Sequence, residues 1–352
     1  AMRRVAVFGG YGTFGRIVAR ELACRGQQVT VVGRDASRAE AYAGELGATH
    51  VGASADVRSA DECAKVISGH HVAVHCAGPY SGFNATLLNA CLQQNCHYVD
   101  IADDRAYCHM VRSHGDAFAA KRLTAAYGCS SLPGISMAAA MLAAQQRDNP
   151  PGRARVTLFI GNNNPKGQGA VASASQLVGR VIDAPQGTLR GFRQWERVPL
   201  PAPFGPRRVL NFESPDYDLL PERLGIGNVR VKVGFELSLT NWAFVSFAAL
   251  APWAGRKILP ILGRAGELVR GIGCSGGVVM SELFWPDGQT HSVAVLAREQ
   301  GQRMAALPAV YVAEHLCRNS SPVAGAQTCV DLLGANELLN LLAVDGCEII
   351  VR

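Results

Sequence analysis

The chain has 352 residues, 48% apolar and 18% charged, which excludes global disorder and leaves room for two domains with cores of their own. Its net charge of +6 comes from dispersed arginines, so the basic stripe that nucleic-acid binding needs cannot be read. Eleven cysteines, odd in number and without a C-x-x-C pair, fit reduced thiols in a cytoplasm better than a disulfide framework or a metal site.

Ala1 ahead of Met2 reads as an expression remnant, and no signal peptide is expected, because the first apolar run is only a short strand. That run, Arg4–Phe8, ends in Gly10, Gly12 and Gly15 at G-x-G-x-x-G spacing, and a helical pattern follows at once. Strand, glycine turn and helix together predict a dinucleotide-binding βα unit, with free amides of Gly12, Thr13 and Phe14 facing a pyrophosphate. Further strands are predicted at Gln28–Val32, Thr49–Val51, His71–Cys76, Tyr98–Ile101 and Thr124–Tyr127. Helical patterns fill the gaps at Gly15–Cys24, Ser37–Leu46, Ala60–Ile67, Asn84–Gln93 and Ala106–Lys121. Such alternation predicts an α/β, doubly wound parallel sheet of six strands, whose ligands sit beyond the carboxyl ends of the strands.

That rule selects the polar candidates. Arg34 follows the second strand where an NAD site usually carries a carboxylate, so it points to the 2′-phosphate of NADP(H), with Arg38 one turn on as a second cation. Asp35 keeps NAD(H) open, and a solvated Arg34 is the bland alternative. Asp56 and Val57 lie where adenine would be held, although a helix cap at Asp56 or Ser59 explains that stretch equally well. Ala77, Gly78 and Pro79 shape the loop after the fourth strand beside the nicotinamide ribose, and Tyr80 brings a phenol to the same rim. The fifth strand ends in Asp100, Asp103 and Asp104, of which one caps the next helix. Tyr80 and Asp103 are the candidate proton donors. His97 begins its strand and faces the other end.

From about Pro150 the alternation stops. Arg155–Ile160 reads as a strand, and Lys166 lies in the glycine-rich loop after it, as a candidate active-site lysine or a solvated one. A helix is expected at Ala170–Val178, and the proline-rich stretch 189–235 suits a substrate wall. Leu237–Leu262 is apolar nearly all round but interrupted by Pro252, which predicts a buried helix or oligomer contact before a lid or a peripheral membrane contact. Val278–Phe284 and Ser292–Ala297 read as a hairpin turned at Asp287-Gly288, and Gly346–Val351 as a last strand.

Gly10-Tyr11-Gly12-Thr13-Phe14-Gly15, Ala77-Gly78-Pro79-Tyr80, the helix around Cys91 and Tyr98-Val99-Asp100 together resemble the saccharopine dehydrogenase-like family. The resemblance continues through Leu132-Pro133-Gly134-Ile135-Ser136 and Leu307-Pro308-Ala309-Val310, and so spans nearly the whole chain. It implies a Rossmann domain over 2–132, a second α+β domain with a largely antiparallel sheet over 133–300, and a segment over 301–352 that returns to the Rossmann domain. It also implies NADP-dependent redox chemistry at the carbon–nitrogen bond of a small molecule. Two departures stand out: Leu132 replaces an acidic residue frequent in the family, and Lys121 and His97 do not reproduce the lysine–histidine pair of the fungal enzyme. A homodimeric oxidoreductase is therefore the leading expectation. Its alternatives are a silent nucleotide-binding regulator, and a carbonyl or alkene reductase with an apolar substrate.

Overall fold

The computed structural model describes residues 3–165, 174–254, 257–258, 273–319 and 321–352. The chain divides into two compact units, Ala1–Ser130 with Ala306–Gly334, and Ser131–Ala305 with Ala335–Arg352.

The first unit is built on a fully parallel sheet. Its strands are β1 (Arg4–Phe8), β2 (Gln28–Gly33), β3 (Val51–Ser54), β4 (Val72–His75), β5 (His97–Asp100) and β6 (Thr124–Tyr127). Val5 to Phe8 are all fully buried, as expected of a central parallel strand covered on both faces. Between the strands run α1 (Thr13–Cys24), α2 (Ala36–Leu46), α3 (Ala60–Ile67), α4 (Thr86–Gln94), α5 (Arg105–Ser113) and α6 (Gly115–Ala120). Helix α1 buries Gly15, Val18, Ala19 and Leu22, one stripe at 3.6-residue spacing. Asp35, Ser59 and Asp104 cap α2, α3 and α5 by accepting from backbone N–H groups three residues on.

Three sequence expectations change here. The third strand runs over Val51–Ser54 rather than Thr49–Val51. The long helix predicted at Ala106–Lys121 is two helices, broken at His114, which sits at φ −92° and ψ 0°. Six strands become seven, because β15 (Gly325–Thr328) pairs with β6 and gives the order β15-β6-β5-β4-β1-β2-β3.

The second unit carries a seven-stranded mixed sheet. Its strands are β7 (Arg153–Ile160), β10 (Glu196–Pro199), β11 (Pro206–Asn211), β12 (Val229–Phe235), β13 (Gly277–Phe284), β14 (Thr290–Ala297) and β16 (Glu348–Val351). They lie in the order β10-β11-β12-β7-β13-β14-β16, and only β12 and β7 run parallel, while β8 (Val181–Ala184) and β9 (Gly187–Arg190) form a separate antiparallel pair. The predicted hairpin is present as β13 and β14, paired from Gly277–Ala297 to Phe284–Thr290. Lys232 on β12 is only 2% exposed and pairs with Glu196 at 3.1 Å. Arg155 completes the chain of charges, 2.9 Å from Glu196 and 2.7 Å from Glu282. Each buried charge therefore has an opposite neighbour, the condition for tolerating it in a core.

The tail does not return to the first unit as a whole. Ala306–Gly334 belongs there and supplies β15, but Ala335–Arg352 belongs to the second unit. The reason is pairing: β16 completes the edge beside β14, from Leu296–Glu348 to Val293–Val351. The apolar stretch starting at Leu237 forms a helix over Ser238–Leu250 that is not wholly buried, since Trp242 is 50% and Leu250 85% exposed. No helix among the described residues is long and apolar enough to cross a membrane.

Candidate active site

Within the parallel sheet β1 is flanked by β2 on one side and β4 on the other, so the chain reverses its direction of winding at the carboxyl end of β1. This is the switch point at which open α/β sheets bind ligands. Gly9 takes φ +71° there, and a Cβ on it would lie 2.8 Å from the backbone nitrogen of Ala77. The turn after β1 and the loop after β4 are thus in backbone contact. A Cβ on Gly15 would lie 2.0 Å from the Gly9 carbonyl oxygen, which fixes glycine where α1 starts. One expectation changes: the Gly12 amide is not free, because it donates to Gly9 O at 2.8 Å. No side chain caps α1, so the amides of Thr13 and Phe14 and the positive end of the helix dipole remain for an anion. A turn closed to side chains, leading into an uncapped helix, fits a dinucleotide's diphosphate.

On the β2–β3 side of the rim, Arg34 and Arg38 are both exposed, and neither has a carboxylate partner among the described residues. The Asp35 carboxylate accepts from Arg38 N–H at 3.1 Å as the cap of α2. It is committed to the helix, which weakens the NAD alternative. Asp56 accepts from Arg58 N–H at 2.9 Å and forms a local turn, whereas Ser59 is the cap of α3. Val57 follows Asp56 and is partly exposed at the same rim.

On the β4–β5 side, Ala77, Gly78 and Pro79 lead from β4 into a single helical turn at Tyr80–Gly82. Tyr80 faces inward: it is 6% exposed, its hydroxyl donates to His75 O at 2.6 Å, and it accepts from Ile101 N–H at 3.4 Å. Burial raises its pKa well above the ordinary value. A phenol so placed braces β4 against the loop after β5 rather than handing a proton outward. Its ring belongs to an aromatic cluster around His75, with Phe83 at 5.1 Å and Tyr107 at 5.9 Å from the imidazole.

His75 and Asp100 are register partners on β4 and β5, and both are fully buried. The imidazole accepts from Ala77 N–H at 3.3 Å through Nδ1, so its proton sits on Nε2, which has no partner. Burial lowers its pKa to about 3, and the ring is neutral. Asp100 accepts from Ala102 N–H at 3.0 Å and Gly128 N–H at 2.8 Å with one oxygen. Burial raises its pKa to about 6 against those two donors. Asp103 lies three residues beyond, partly exposed as a residue. Enclosure of its carboxyl raises its pKa to about 6, with the neighbouring Asp104 adding to the effect. A group of that kind exchanges a proton near neutrality.

The four loops after β1, β2, β3 and β4, with the helix starts they lead into, therefore place all twelve predicted cofactor residues on one edge, and Asp103 lies in the loop after the next strand, β5. Lys166 lies outside the described residues, as do residues 170–173 of the helix expected at Ala170–Val178, of which 174–176 are helical. His97 is at the opposite end of β5, where its Nδ1 accepts from Thr124 N–H at 3.0 Å. Leu132 is buried at 2% exposure and belongs to the second unit's core. Sequence reasoning missed Tyr11, His75 and the braced role of Asp100. For Tyr11 a signal existed, an aromatic inside the glycine turn with Gly33 at the end of the neighbouring strand.

Residues 5–126 match the family described as saccharopine dehydrogenase NADP binding domain. Over the whole length, the fold is similar to an apo saccharopine dehydrogenase (L-Glu forming) from Saccharomyces cerevisiae, at 10% identity and a TM-score of 0.67, covering 99% of this chain and 100% of that one. A short-chain type dehydrogenase/reductase from Mycobacterium ulcerans matches 36% of this chain and 66% of its own, at 19% identity and a TM-score of 0.31. A hydroxysteroid dehydrogenase from Escherichia coli also matches 36% of this chain and 70% of its own, at 16% identity and a TM-score of 0.31. No curated protein matches the chain.

Proposed function

We propose that this chain, whose residues 5–126 match the saccharopine dehydrogenase NADP binding domain, is an NADP(H)-dependent oxidoreductase that works at a carbon–nitrogen centre, reducing an imine or oxidising the matching amine. The observation that carries this reading is Asp103, a carboxyl at the rim whose pKa is raised to about 6. Imine reduction needs a proton on nitrogen as well as a hydride on carbon. NADPH supplies the hydride when bound. Asp103 holds the proton and delivers it to the nitrogen, so that C=N becomes CH–NH and the carboxylate is left ionised. Backbone amides at the start of α1 orient the cofactor, and Arg34 and Arg38 take its 2′-phosphate. The full-length fold likeness to a saccharopine dehydrogenase (L-Glu forming) supports an amino compound as substrate.

The test follows NADPH absorbance with purified protein, first with pairs of keto acids and amines, then with hydrophobic carbonyls and enones. Turnover with keto acid–amine pairs is expected, and turnover confined to enones overturns the reading. With a productive pair, the rate should fall about tenfold per pH unit above roughly 6 as Asp103 loses its proton. Asp103→Asn should remove that limb and cost about a hundredfold or more in turnover while NADPH still binds. An Asp103→Asn variant with an unchanged pH profile removes Asp103 from the chemistry.

The proposal extends to a cytoplasmic homodimer. Eleven free thiols support a reducing compartment. Trp242, Leu250 and Trp253, all at least half exposed on and just after one helix, support contact with a second copy. A monomer mass by light scattering removes the dimer.

A further inference from the structure

Tyr11 lies between Gly10 and Gly12 of the glycine turn, and its side chain crosses from β1 to the end of β2. Gly33 shows how closely: a Cβ there would lie 2.2 Å from Cε1 of the Tyr11 ring and 2.7 Å from its hydroxyl oxygen. Gly33 has no positive φ to explain it. It is glycine because the ring rests on it. Beyond Gly33 the phenol oxygen accepts from Asp35 N–H at 3.0 Å, and the Arg38 guanidinium stacks over the ring, 4.5 Å from its centre.

Three consequences follow from this contact set. The Asp35 amide bond fixes the turn that carries Arg34. The ring face gives Arg38 a resting place beside that turn, in a geometry that stabilises a guanidinium. The phenol accepts from Asp35 N–H and has no acceptor for its own proton among the described residues, so that proton is left for an oxygen anion at the mouth of the turn. The Arg38 guanidinium and the Tyr11 phenol share one exposed corner of the sheet, Arg34 is exposed on the turn that Asp35 anchors there, and neither guanidinium pairs with a carboxylate among the described residues. A phosphate monoester dianion is the ligand that this combination of donors suits.

We propose that Tyr11 is the positioning residue for NADP selectivity: it holds Arg38 and the Arg34 turn around the 2′-phosphate and adds a hydrogen bond of its own. The proposal rests on NADP(H) as the cofactor but not on the substrate class.

The experiment is a fluorescence titration of the full chain with NADPH and with NADH, read as the ratio of the two dissociation constants. Wild type should favour NADPH. Tyr11→Phe keeps the ring on Gly33 and loses only the hydroxyl, and should cost about three- to tenfold on NADPH, with NADH changed less than twofold. Tyr11→Leu fills the space without a π face and should cost about tenfold or more on NADPH alone. Because Tyr11 acts partly through Arg38, the loss in Tyr11→Leu with Arg38→Ala should be smaller than the product of the separate losses. Equal losses on NADPH and NADH, or fully multiplicative losses with Arg38→Ala, overturn the proposal and leave Tyr11 as part of the turn. A wild type without preference for NADPH overturns the cofactor assignment instead, and the two failures are told apart in one titration.

Discussion

At the β2–β3 end of the strand rim, Arg34 and Arg38 are exposed and neither guanidinium is paired with a carboxylate among the described residues, whereas at the β4–β5 end His75, Tyr80 and Asp100 are sealed from water. Both ends stop at the same edge of one sheet, yet their electrostatics differ. Two exposed guanidiniums suit the first end to an anion. Enclosure drives His75 to about 3 and Asp100 to about 6, so the second end holds a neutral imidazole and a carboxyl that exchanges its proton near neutrality. On the proposed function, recognition by fixed charge and chemistry by movable protons would be separated along the rim. Asp103 is the point where the buried end reaches the surface.

The largest expected effect breaks both ends together. Gly9 touches Ala77 on one side and Gly15 on the other, so the turn is common to the two. In Gly15→Ala the new methyl meets the Gly9 carbonyl oxygen at 2.0 Å and its carbon at 2.6 Å, against backbone that cannot rotate away. We expect about 3 kcal/mol of destabilisation and the loss of roughly two orders of magnitude in NADPH affinity, measured by chemical denaturation and titration. Near-normal binding would mean that α1 can slide without disturbing the amides, and the turn would not be the common point.

The next effect isolates the buried end. The Asp100 carboxyl has a folded-state pKa of about 6 against an ordinary 3.8, so the fold binds its proton more tightly than the unfolded chain does. Its contribution to stability is fully present below about pH 4 and is lost as pH rises through about 6, by up to about 3 kcal/mol. Asp100→Asn keeps an amide oxygen for Ala102 N–H and Gly128 N–H and carries no proton to lose. The variant should therefore gain on wild type between pH 4 and 7, as read in urea midpoints. Parallel pH profiles would show that Asp100 is not the titrating group and that enclosure at this end is weaker than the packing indicates.

How much of this could be read from the residues follows the same division. The first strand and its glycine turn were legible because each step is local: an apolar run, three glycines at fixed spacing, then a 3.6-residue stripe. Arg34 was legible for the same reason, since its distance from Gly15 places it at the end of β2. The seventh strand was not, because Gly325-Ala326-Gln327-Thr328 has no apolar run and owes its extended form to pairing with β6. The fate of the tail depended on which sheet had an open edge for Glu348–Val351, a property of β14 that no local pattern encodes. Tyr80 shows the limit most clearly. Its loop could be placed at the rim from the sequence, but the direction of its hydroxyl is decided by the His75 carbonyl beneath it.

That direction yields the smallest and most discriminating expectation. Tyr80→Phe removes one buried hydroxyl that donates at 2.6 Å to His75 O and accepts weakly from Ile101 N–H. It leaves the ring in place against His75 at 5.0 Å and Tyr107 at 4.9 Å. Loss of the bond should cost about 1 kcal/mol of stability, since a buried carbonyl loses its partner. Turnover should stay within about threefold of wild type, because a brace changes how firmly the loop is held and not the supply of protons. A fall of a hundredfold with NADPH binding intact would reverse the assignment. The phenol would then have to turn outward during the reaction, and the sealed end of the rim would be a closed state of a site that opens on substrate.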